Sequence, residues 1–383
     1  MRKSLAVGAA LAASALALTA CGSSTSTTTS STPAATSASA ASPTAASGLA
    51  EAQAFLDKYT PNPTSLGDLT PLSKQPEPGK LVIGIDNATP SGQVLSQSWE
   101  AAAKKLGWTY KWVDAGYTPE SEQKAMDAAL ALNPAGIMTS GILASTIKTQ
   151  LADAASKNIP VNTSAATDPS DPAGFYDTSI ADVNQLDLWG QMIAAQVVVT
   201  SQGKAKVQDF SLPVYPILER FDTAFHAALT KWCPDCTFTE NPQQGTDIGT
   251  KTPGNVVSIM QKAPDTDWLI FDLGDLETGV DAALSAAGIS GVHIGGLTAT
   301  AANIEAVKAG KQDAWTAYSE PIVGFRQVDS IARKLNGDPI LNVPLPTQVI
   351  NKDSVGGIVV DDKGNYVGVK DYESQFATLW KVS

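Results

Sequence analysis

Two cysteines, Cys233 and Cys236, are separated by two residues in the segment "KWCPDC", which spans residues 231–236. A Cys-Pro-x-Cys segment supports thiol–disulfide exchange when its first cysteine opens a helix, because the helix N-terminus lowers the pKa of that thiol. The same cysteines can also form a disulfide that only stabilises the fold. The elements on either side of the pair decide between these two chemistries.

A helix pattern covers residues 217–232, before the cysteines, and a strand pattern, "CTFTEN", follows them. Cys233 therefore comes at the C-terminal end of a helix, where the helix dipole disfavours a thiolate. This order favours an inert disulfide between Cys233 and Cys236 over an oxidoreductase site. Closing so small a loop is expected to stabilise the fold by about 2 kcal/mol.

Other catalytic chemistries have little support in the sequence. The two histidines, His226 in a helix pattern and His293 in a strand pattern, have no partner at the spacing of a metal site or catalytic triad. Neither a phosphate-binding G-x-x-x-x-G-K-[ST] loop nor a G-x-S-x-G elbow occurs. A glycosidase-type carboxylate pair stays open, because acidic residues are spread along the chain. We expect no enzyme, no cofactor and no metal site.

Strand and helix patterns alternate from Lys80 onward. The first run begins with "KLVIGID", a nearly continuous apolar segment of the kind found in parallel strands buried on both faces. Gly107 is a predicted helix C-cap, and Thr118 followed by Pro119 predicts a helix N-terminus. A second run follows a long helix near residues 184–201. Two such runs predict two doubly wound parallel-sheet α/β lobes.

Polar and aromatic residues follow nearly every predicted strand, where the carboxyl ends of parallel strands place ligand-binding side chains. These candidates for ligand contact are Asn87, Thr89, Ser91, Tyr117, Thr139, Ser140, Asn162, Ser164, Tyr215, Arg220, Asp272, Asp275, Trp315 and Tyr318, with Trp189 as a further candidate.

Each of these positions also has an ordinary structural explanation. Asn87, Thr89 and Ser91 are common turn or cap residues, and Asp275 could cap a helix that begins near Leu276. The aromatic side chains of Trp189, Trp315 and Tyr318 could pack between the lobes instead of stacking on a ligand. The other tryptophans are interpreted as core residues.

Residues 1–20 have the pattern of a secretory signal peptide, a basic start followed by a short apolar run. The run ends in "LTAC", which resembles the lipobox of bacterial lipoproteins and implies acylation of Cys21. The alternative is ordinary cleavage near Ala20, which would leave Cys21 as a free thiol. Residues 21–48 are nearly all Ser, Thr, Ala and Pro and predict a disordered tether. Residues 49–79 start with a helix pattern and become Pro-rich, and we interpret them as a leader segment.

The mature chain is acidic. The complete sequence has 26 basic and 38 acidic residues, a formal net charge of −12, and removal of Arg2 and Lys3 with the signal peptide leaves −14. Nucleic acid and anionic lipid surfaces are therefore not expected as partners. No segment after the signal peptide is apolar enough to cross a membrane, so the lipid is the expected membrane anchor.

From Lys80 to Ser383 the chain resembles the type I periplasmic binding proteins of ABC importers, in particular the ribose- and galactose-binding group. The resemblance rests on the order and spacing of four segments, which are "IGIDNATPSGQVLSQSWEAAAKKLGW", "NPAGIMTSGILASTIKTQLADAASKNIPVNTS", "IGGLTATAANIEAVKAGKQDAW" and "EPIVGFRQVDSIARKLNGDP".

This resemblance implies two lobes joined by a three-crossover hinge that closes on a small-molecule solute. The N-terminal lobe would comprise residues 80–181 and 319–345, and the C-terminal lobe residues 182–318 and 346–383. The crossovers would lie near Ala181, Tyr318 and Pro346. The implied protein is a monomer on the outer face of the bacterial membrane, and its partners are the solute and the ABC permease subunits. A lipoprotein that presents its ligand to a signalling receptor is the alternative.

The usual sugar-reading residues of that group are missing at the matching positions. The loop after the first strand typically carries aromatic rings in sugar binders, but residues 89–92 contain none. An Asp-Arg pair is typical where this chain has Ala165 and Ala166, and an Asp is typical where it has Leu297. The resemblance therefore implies a sugar or polyol as ligand, while these substitutions favour a less polar molecule.

Overall fold

The computed structural model describes residues 45–171 and 175–382. The predicted signal peptide, the acylation site Cys21 and residues 21–44 of the predicted tether lie outside this range. Helix α1 (Ala45–Leu56) overlaps the last four residues of the predicted tether, residues 45–48. Within the described ranges, no helix combines the length and apolarity needed to span a bilayer.

The first sheet consists of five parallel strands in the order β2-β1-β3-β4-β5. Four of these strands are predicted from the sequence, and β5 is an additional one at the sheet edge. Their bounds, with those of the connecting helices, are β1 (Leu81–Asp86), α2 (Pro90–Lys105), β2 (Thr109–Asp114), α3 (Pro119–Ala131), β3 (Gly136–Ser140), α4 (Lys148–Ser156), β4 (Val161–Ser164) and β5 (Tyr176–Ile180).

The second sheet has six strands in the order β11-β10-β9-β8-β6-β7, and only β11 runs antiparallel to its neighbour. Its elements are α5 (Val183–Thr200), β6 (Lys206–Phe210), α6 (Leu218–Trp232), β7 (Thr237–Glu240), α7 (Thr252–Lys262), β8 (Trp268–Phe271), α8 (Val280–Ala286), β9 (His293–Gly296), α9 (Ala301–Lys308), β10 (Ala314–Thr316) and β11 (Val349–Asn351). Short 3₁₀ turns span Gly245–Asp247 and Gly274–Glu277. The two sheets confirm the predicted pair of doubly wound lobes.

The predicted helix ends agree with the structure. The Thr118 side chain accepts a hydrogen bond of 3.2 Å from the backbone amide of Ser121, and Pro119 is the first residue of α3. Gly107 has φ +68°, the left-handed conformation that often follows a helix C-terminus. These ends are encoded locally and fix where the strand-end loops begin.

Between β1 and β11 the chain passes from one sheet to the other three times. The passages lie at residues 181–182 after β5, at residues 317–319 after β10, and between helix α10 (Glu320–Asn336) and β11. Helix α10 packs against α2 and against the first sheet. It therefore returns the chain to the first lobe, and the passages lie where Ala181, Tyr318 and Pro346 are expected.

The assignment of residues 346–383 to the second lobe is wrong for helix α11 (Tyr372–Trp380). The Trp380 ring stacks on Phe325 of α10 at 5.6 Å, and its indole nitrogen donates a 2.8 Å hydrogen bond to Asp329 of the same helix. Phe376 packs on Phe325 as well, at 5.3 Å. The apolar face of α11 is therefore buried against the first lobe.

The leader segment contacts both lobes. In the second lobe, the Phe55 ring of α1 lies 5.3 Å from that of Trp232, at the end of α6. Farther along, the Leu72 amide donates to the carbonyl of Leu379 at 2.9 Å, and Trp108 donates to the carbonyl of Glu77 at 2.8 Å. The leader thus runs from the second lobe to the first.

The cysteine pair forms the predicted disulfide. Cys233 is the residue at the C-terminal end of α6, is 1% exposed, and is bonded to Cys236, with the two Cα atoms 5.3 Å apart. A hydrogen bond of 3.0 Å from the Cys236 amide to the Cys233 carbonyl closes the same turn. The first cysteine therefore lacks the helix N-terminus that would activate a thiolate.

Candidate ligand-binding cleft

A cavity of about 110 Å³ lies between the two lobes, at the carboxyl ends of their strands. In the first lobe its walls come from the loops after β1 to β4, and in the second lobe from the loops after β6 to β9. The start of α5 and the passage before α10 complete it. Since a water-sized volume in such a cavity is about 10–15 Å³, the space suits one small organic molecule.

Eight of the predicted site residues line this cavity. Those from the first lobe follow three different strands, and those from the second lobe follow two, while one lies in the passage before α10. They are Asn87, Thr89, Ser91, Tyr117, Ser140, Tyr215, Asp275 and Tyr318, and the further candidate Trp189 lines it too.

Direct hydrogen bonds join the lobes beside the cavity. The side-chain amide of Asn87 donates to the phenol oxygen of Tyr215 at 2.6 Å. The Ser91 hydroxyl donates to the carboxylate of Asp275, and the Ser91 amide lies 3.4 Å from the other oxygen of that carboxylate. Ser91 belongs to α2 of the first lobe and Asp275 to the second. The described conformation is therefore closed around the cavity.

The ordinary role of a helix cap holds for Thr89 but not for Asp275. Thr89 caps α2, because its hydroxyl accepts a hydrogen bond of 3.1 Å from the Gly92 amide, and it also lines the cavity. Asp275 does not cap a helix. Its carboxylate points to Ser91, and the 3₁₀ turn around it has no side-chain cap.

Two predicted residues of the first lobe lie behind the cavity wall. The Asn162 amide donates a 2.7 Å hydrogen bond to the Gln327 carbonyl of α10, and its oxygen accepts one of 3.1 Å from the Gln327 side chain. Ser164 is fully buried. Neither side chain lines the cavity, nor does Thr139, whose hydroxyl contacts the Asn162 carbonyl at 3.3 Å. The bonds from Gln327 to Asn162 and to the Thr139 carbonyl hold α10 on the sheet.

Two predicted residues of the second lobe also do not line the cavity. Arg220 forms an ion pair with Asp187 on the surface, where its side chain is 44% exposed. Trp315 is fully buried in its lobe and donates a 2.9 Å hydrogen bond to Gln312. Both residues lie near the cleft in sequence, but their side chains point away from the cavity.

Asp272, the remaining predicted residue that does not line the cavity, belongs to a buried carboxylate cluster. It accepts a 2.7 Å hydrogen bond from the Leu212 amide, and its carboxylate lies within 4.8 Å of those of Asp209 and Asp222. Asp209 in turn contacts His226 at 2.7 Å. Burial, followed by the neighbouring Asp209 charge, raises the pKa of Asp222 to about 7. Since the cluster lies between α6 and the sheet, we interpret it as part of the core.

Sequence reasoning missed two carboxylates that line the cavity. Asp86 is the last residue of β1 and is 6% exposed, while Glu320 is the first residue of α10 and is 5% exposed. Burial raises the pKa of Asp86 to about 7, and it raises that of Glu320 well above its usual range. The sequence offered one clue to each: Asp86 is the polar residue that ends "KLVIGID", and Glu320 is the acidic residue of "SEP" at the start of a helix.

Aromatic and aliphatic side chains form most of the remaining wall. The Trp189 and Tyr318 rings meet edge to face at 5.4 Å, and Tyr117 and Tyr215 add two further rings. The aliphatic residues are Leu95, Ala165, Leu186, Ile217, Leu218, Ile248, Leu273 and Leu297. They include Ala165 and Leu297, two positions at which the sequence predicts a loss of polar contacts.

The model of the periplasmic binding protein domain matches residues 84–339, which is most of the folded chain. The chain belongs to the periplasmic binding protein domain family. Proteins of this family bind solutes and are not enzymes, which agrees with the absence of catalytic motifs from the sequence. No curated protein sequence matches this periplasmic binding protein.

Solved structures of ABC-transporter solute-binding proteins share its fold. A sugar ABC transporter protein from Yersinia enterocolitica superposes with a TM-score of 0.67 at 17% identity, covering 80% of this chain and 95% of its own. A glycerol-bound protein from Mycobacterium smegmatis superposes with a TM-score of 0.65 at 14% identity, covering 76% of this chain and 99% of its own. A protein from Agrobacterium vitis bound to α-D-tagatopyranose superposes with a TM-score of 0.62 at 20% identity, covering 73% of this chain and 96% of its own. These similarities confirm the type I fold of two parallel-sheet lobes.

Proposed function

We propose that this periplasmic binding protein is the extracytoplasmic solute-binding lipoprotein of an ABC importer. The observation that carries the proposal is the cavity between the lobes, across which Asn87 bonds to Tyr215 and Ser91 to Asp275. Solute captured there adds contacts to both lobes at once, so binding favours the closed form. The closed form then docks on the membrane permease, which receives the solute.

Anchoring follows from the N-terminal sequence. Acylation of Cys21 would hold the protein at the outer face of the membrane, and the Ser-, Thr- and Ala-rich segment after it would let the folded body reach the permease. The protein would act as a monomer, since the cavity is complete within one chain. Metabolic labelling with a fatty acid tests the anchor, and loss of the label in Cys21→Ser is the expected result.

Sugars and polyols are the first solutes to test, because the solved relatives from Agrobacterium vitis and Mycobacterium smegmatis hold a ketohexose and glycerol. The purified protein is screened by thermal shift with sugars, polyols, nucleosides and small organic ions, and co-purifying molecules are identified by mass spectrometry. A binder raises the melting temperature by mass action. The absence of any shift and of any co-purifying molecule would contradict the proposed function.

A further inference from the structure

Three carboxylates line the cavity, and each is more than nine-tenths buried. Asp86 comes from the end of β1, Asp275 from the second lobe, and Glu320 from the start of α10, directly after the passage at residues 317–319. The Asp86 carboxylate accepts a hydrogen bond of 2.8 Å from the backbone amide of Asn87, and the Asp275 carboxylate accepts one from the Ser91 hydroxyl. Glu320 accepts no hydrogen bond from another side chain of the described residues. The three carboxylates therefore reach the cavity from three separate segments of the chain.

No basic side chain balances these carboxylates at the cavity. None of the described residues that line it is Lys, Arg or His. Burial raises the pKa of all three acids, and each of Asp86 and Glu320 is raised further by the charge of Asp275. A buried carboxylate without a positive partner is unfavourable in the ionised form. A positive charge placed among the three acids would stabilise their ionised forms.

The rest of the wall suits the apolar body of a cation. Four aromatic residues, Trp189, Tyr117, Tyr215 and Tyr318, contribute rings, and aromatic faces attract ammonium groups more strongly when water is excluded. The side-chain amide of Asn87 donates to Tyr215, and the indole of Trp189 donates to Thr347. The donors that remain among the lining side chains are hydroxyl groups, whereas the three carboxylates are acceptors that can receive the N–H groups or the charge of a cation.

A metal ion does not fit these three acids. Among the described residues, only Asp209, Asp222 and Asp272 bring three carboxylate ligand atoms within 4.8 Å of one another. The cavity carboxylates are therefore too far apart to coordinate one ion at the 2.0–2.6 Å distances of Mg²⁺ or Ca²⁺. Their spacing suits a positive charge carried by a molecule that fills the space between them.

We propose that the solute of this cleft is an organic cation, an ammonium group attached to a compact apolar body. The inference rests on the proposed solute-binding function and narrows its ligand class. The ammonium group lies among Asp86, Asp275 and Glu320, and the apolar body packs on the tyrosine and leucine side chains of the wall. Closure of the lobes removes water from both parts.

Matched probes separate the charge of a ligand from its shape. The purified protein is titrated by calorimetry with choline, benzyltrimethylammonium and phenethylamine, and with 3,3-dimethylbutan-1-ol, which has carbon in place of the choline nitrogen. We expect at least one cation to bind, and the neutral alcohol to bind at least about tenfold more weakly than choline. Equal binding of choline and the alcohol would overturn the inference.

Two substitutions test the carboxylates. Glu320→Gln keeps the shape of the side chain and is expected to weaken binding of the cation about tenfold, with no effect on the neutral alcohol. Glu277→Gln is the control, because Glu277 is a buried acid of the second lobe with a pKa of about 7 that does not line the cavity. Its affinity should equal that of the wild type. A melting scan of each variant checks folding.

The result distinguishes failure of the ligand class from failure of the function. If ribose, galactose, xylitol or glycerol binds and none of the cations does, the cation inference is overturned and the solute-binding function stands. If neither panel binds and no small molecule co-purifies, both fail. A co-purifying amine, identified by mass spectrometry of the denatured protein, supports both.

Discussion

The side-chain amide of Asn87 donates a hydrogen bond of 2.6 Å to the phenol oxygen of Tyr215, joining the first lobe to the second beside the cavity. The two residues are 128 positions apart in sequence and lie on different lobes, so we expect them to separate when the lobes open. The bond therefore forms with closure, and it contributes to ligand affinity without contributing to the folding of either lobe. Burial raises the pKa of Tyr215, so its hydroxyl stays protonated.

Tyr215→Phe removes this bond and leaves the ring in place. We expect the affinity for the bound solute to fall by about 1 kcal/mol, roughly fivefold in Kd, mainly through faster dissociation. Tyr372→Phe is the matched control, because the Tyr372 hydroxyl lies on the surface 3.4 Å from Glu373, away from the cavity. Titration calorimetry and stopped-flow dissociation measure both variants, and an unchanged Kd in Tyr215→Phe would contradict the closure bond.

Two glycines at the third position of their helices give opposite predictions. A methyl group on Gly92 in α2 would come within 2.2 Å of the Asn87 carbonyl oxygen, whereas one on Gly254 in α7 would meet no atom within 4 Å. Gly92→Ala must therefore move the loop that carries Asn87, and we expect a loss of about 1–3 kcal/mol in unfolding free energy and weaker solute binding.

Gly254→Ala is the control for that substitution. It should raise the unfolding free energy by about 0.5–1 kcal/mol, because alanine favours the helix and restricts the unfolded chain. Urea unfolding measures both variants. If the two substitutions change the unfolding free energy by similar amounts, the loop that carries Asn87 moves to accommodate the methyl group without loss of stability.

The helix ends and the two-lobe fold could be predicted because their signals are local. Thr118 and Pro119 specify a helix start within four residues, and the continuous apolar run of β1 specifies a buried parallel strand. The final helix could not be assigned to a lobe in this way. Its partner, Phe325, lies on α10, and only the folded packing brings the two helices together.

The residues that line the cavity were harder to predict, because the side chains at strand ends point in more than one direction. Ser140 and Asn162 both lie at the ends of first-lobe strands, yet Ser140 lines the cavity and Asn162 bonds to Gln327 of α10. Glu320 resembles an ordinary acidic residue in the first turn of a helix, where it suits the helix dipole. Its place in the cavity depends on the passage between the lobes.

The disulfide offers a prediction that separates stability from activity. Replacement of both Cys233 and Cys236 by serine is expected to lower the unfolding free energy by about 2 kcal/mol, because the small loop is no longer closed in the unfolded chain. Solute affinity should not change, since neither residue lines the cavity. The wild-type protein should not reduce insulin in the presence of dithiothreitol, and measurable catalysis of that reaction would contradict the structural role.

The buried cluster of Asp209, Asp222 and Asp272 predicts stability that depends on pH. The pKa of Asp222 is about 7 in the folded protein and near 3.8 when unfolded. Between these values the folded state holds a proton that the unfolded chain releases, so the unfolding free energy falls as the pH rises from about 4 to about 7. Above that range this contribution is constant.

Asp222→Asn removes the titration and supplies a permanent donor for the neighbouring carboxylates. We expect it to stabilise the protein at pH 8 by roughly 2–4 kcal/mol, at about 1.4 kcal/mol for each pKa unit, and to have a much smaller effect at pH 4.5. The exposed Asp362→Asn is the control and should change stability by less than about 0.5 kcal/mol at either pH. Urea unfolding at the two pH values measures the difference. Destabilisation by Asp222→Asn at pH 8 would contradict the prediction that a shared proton stabilises the cluster.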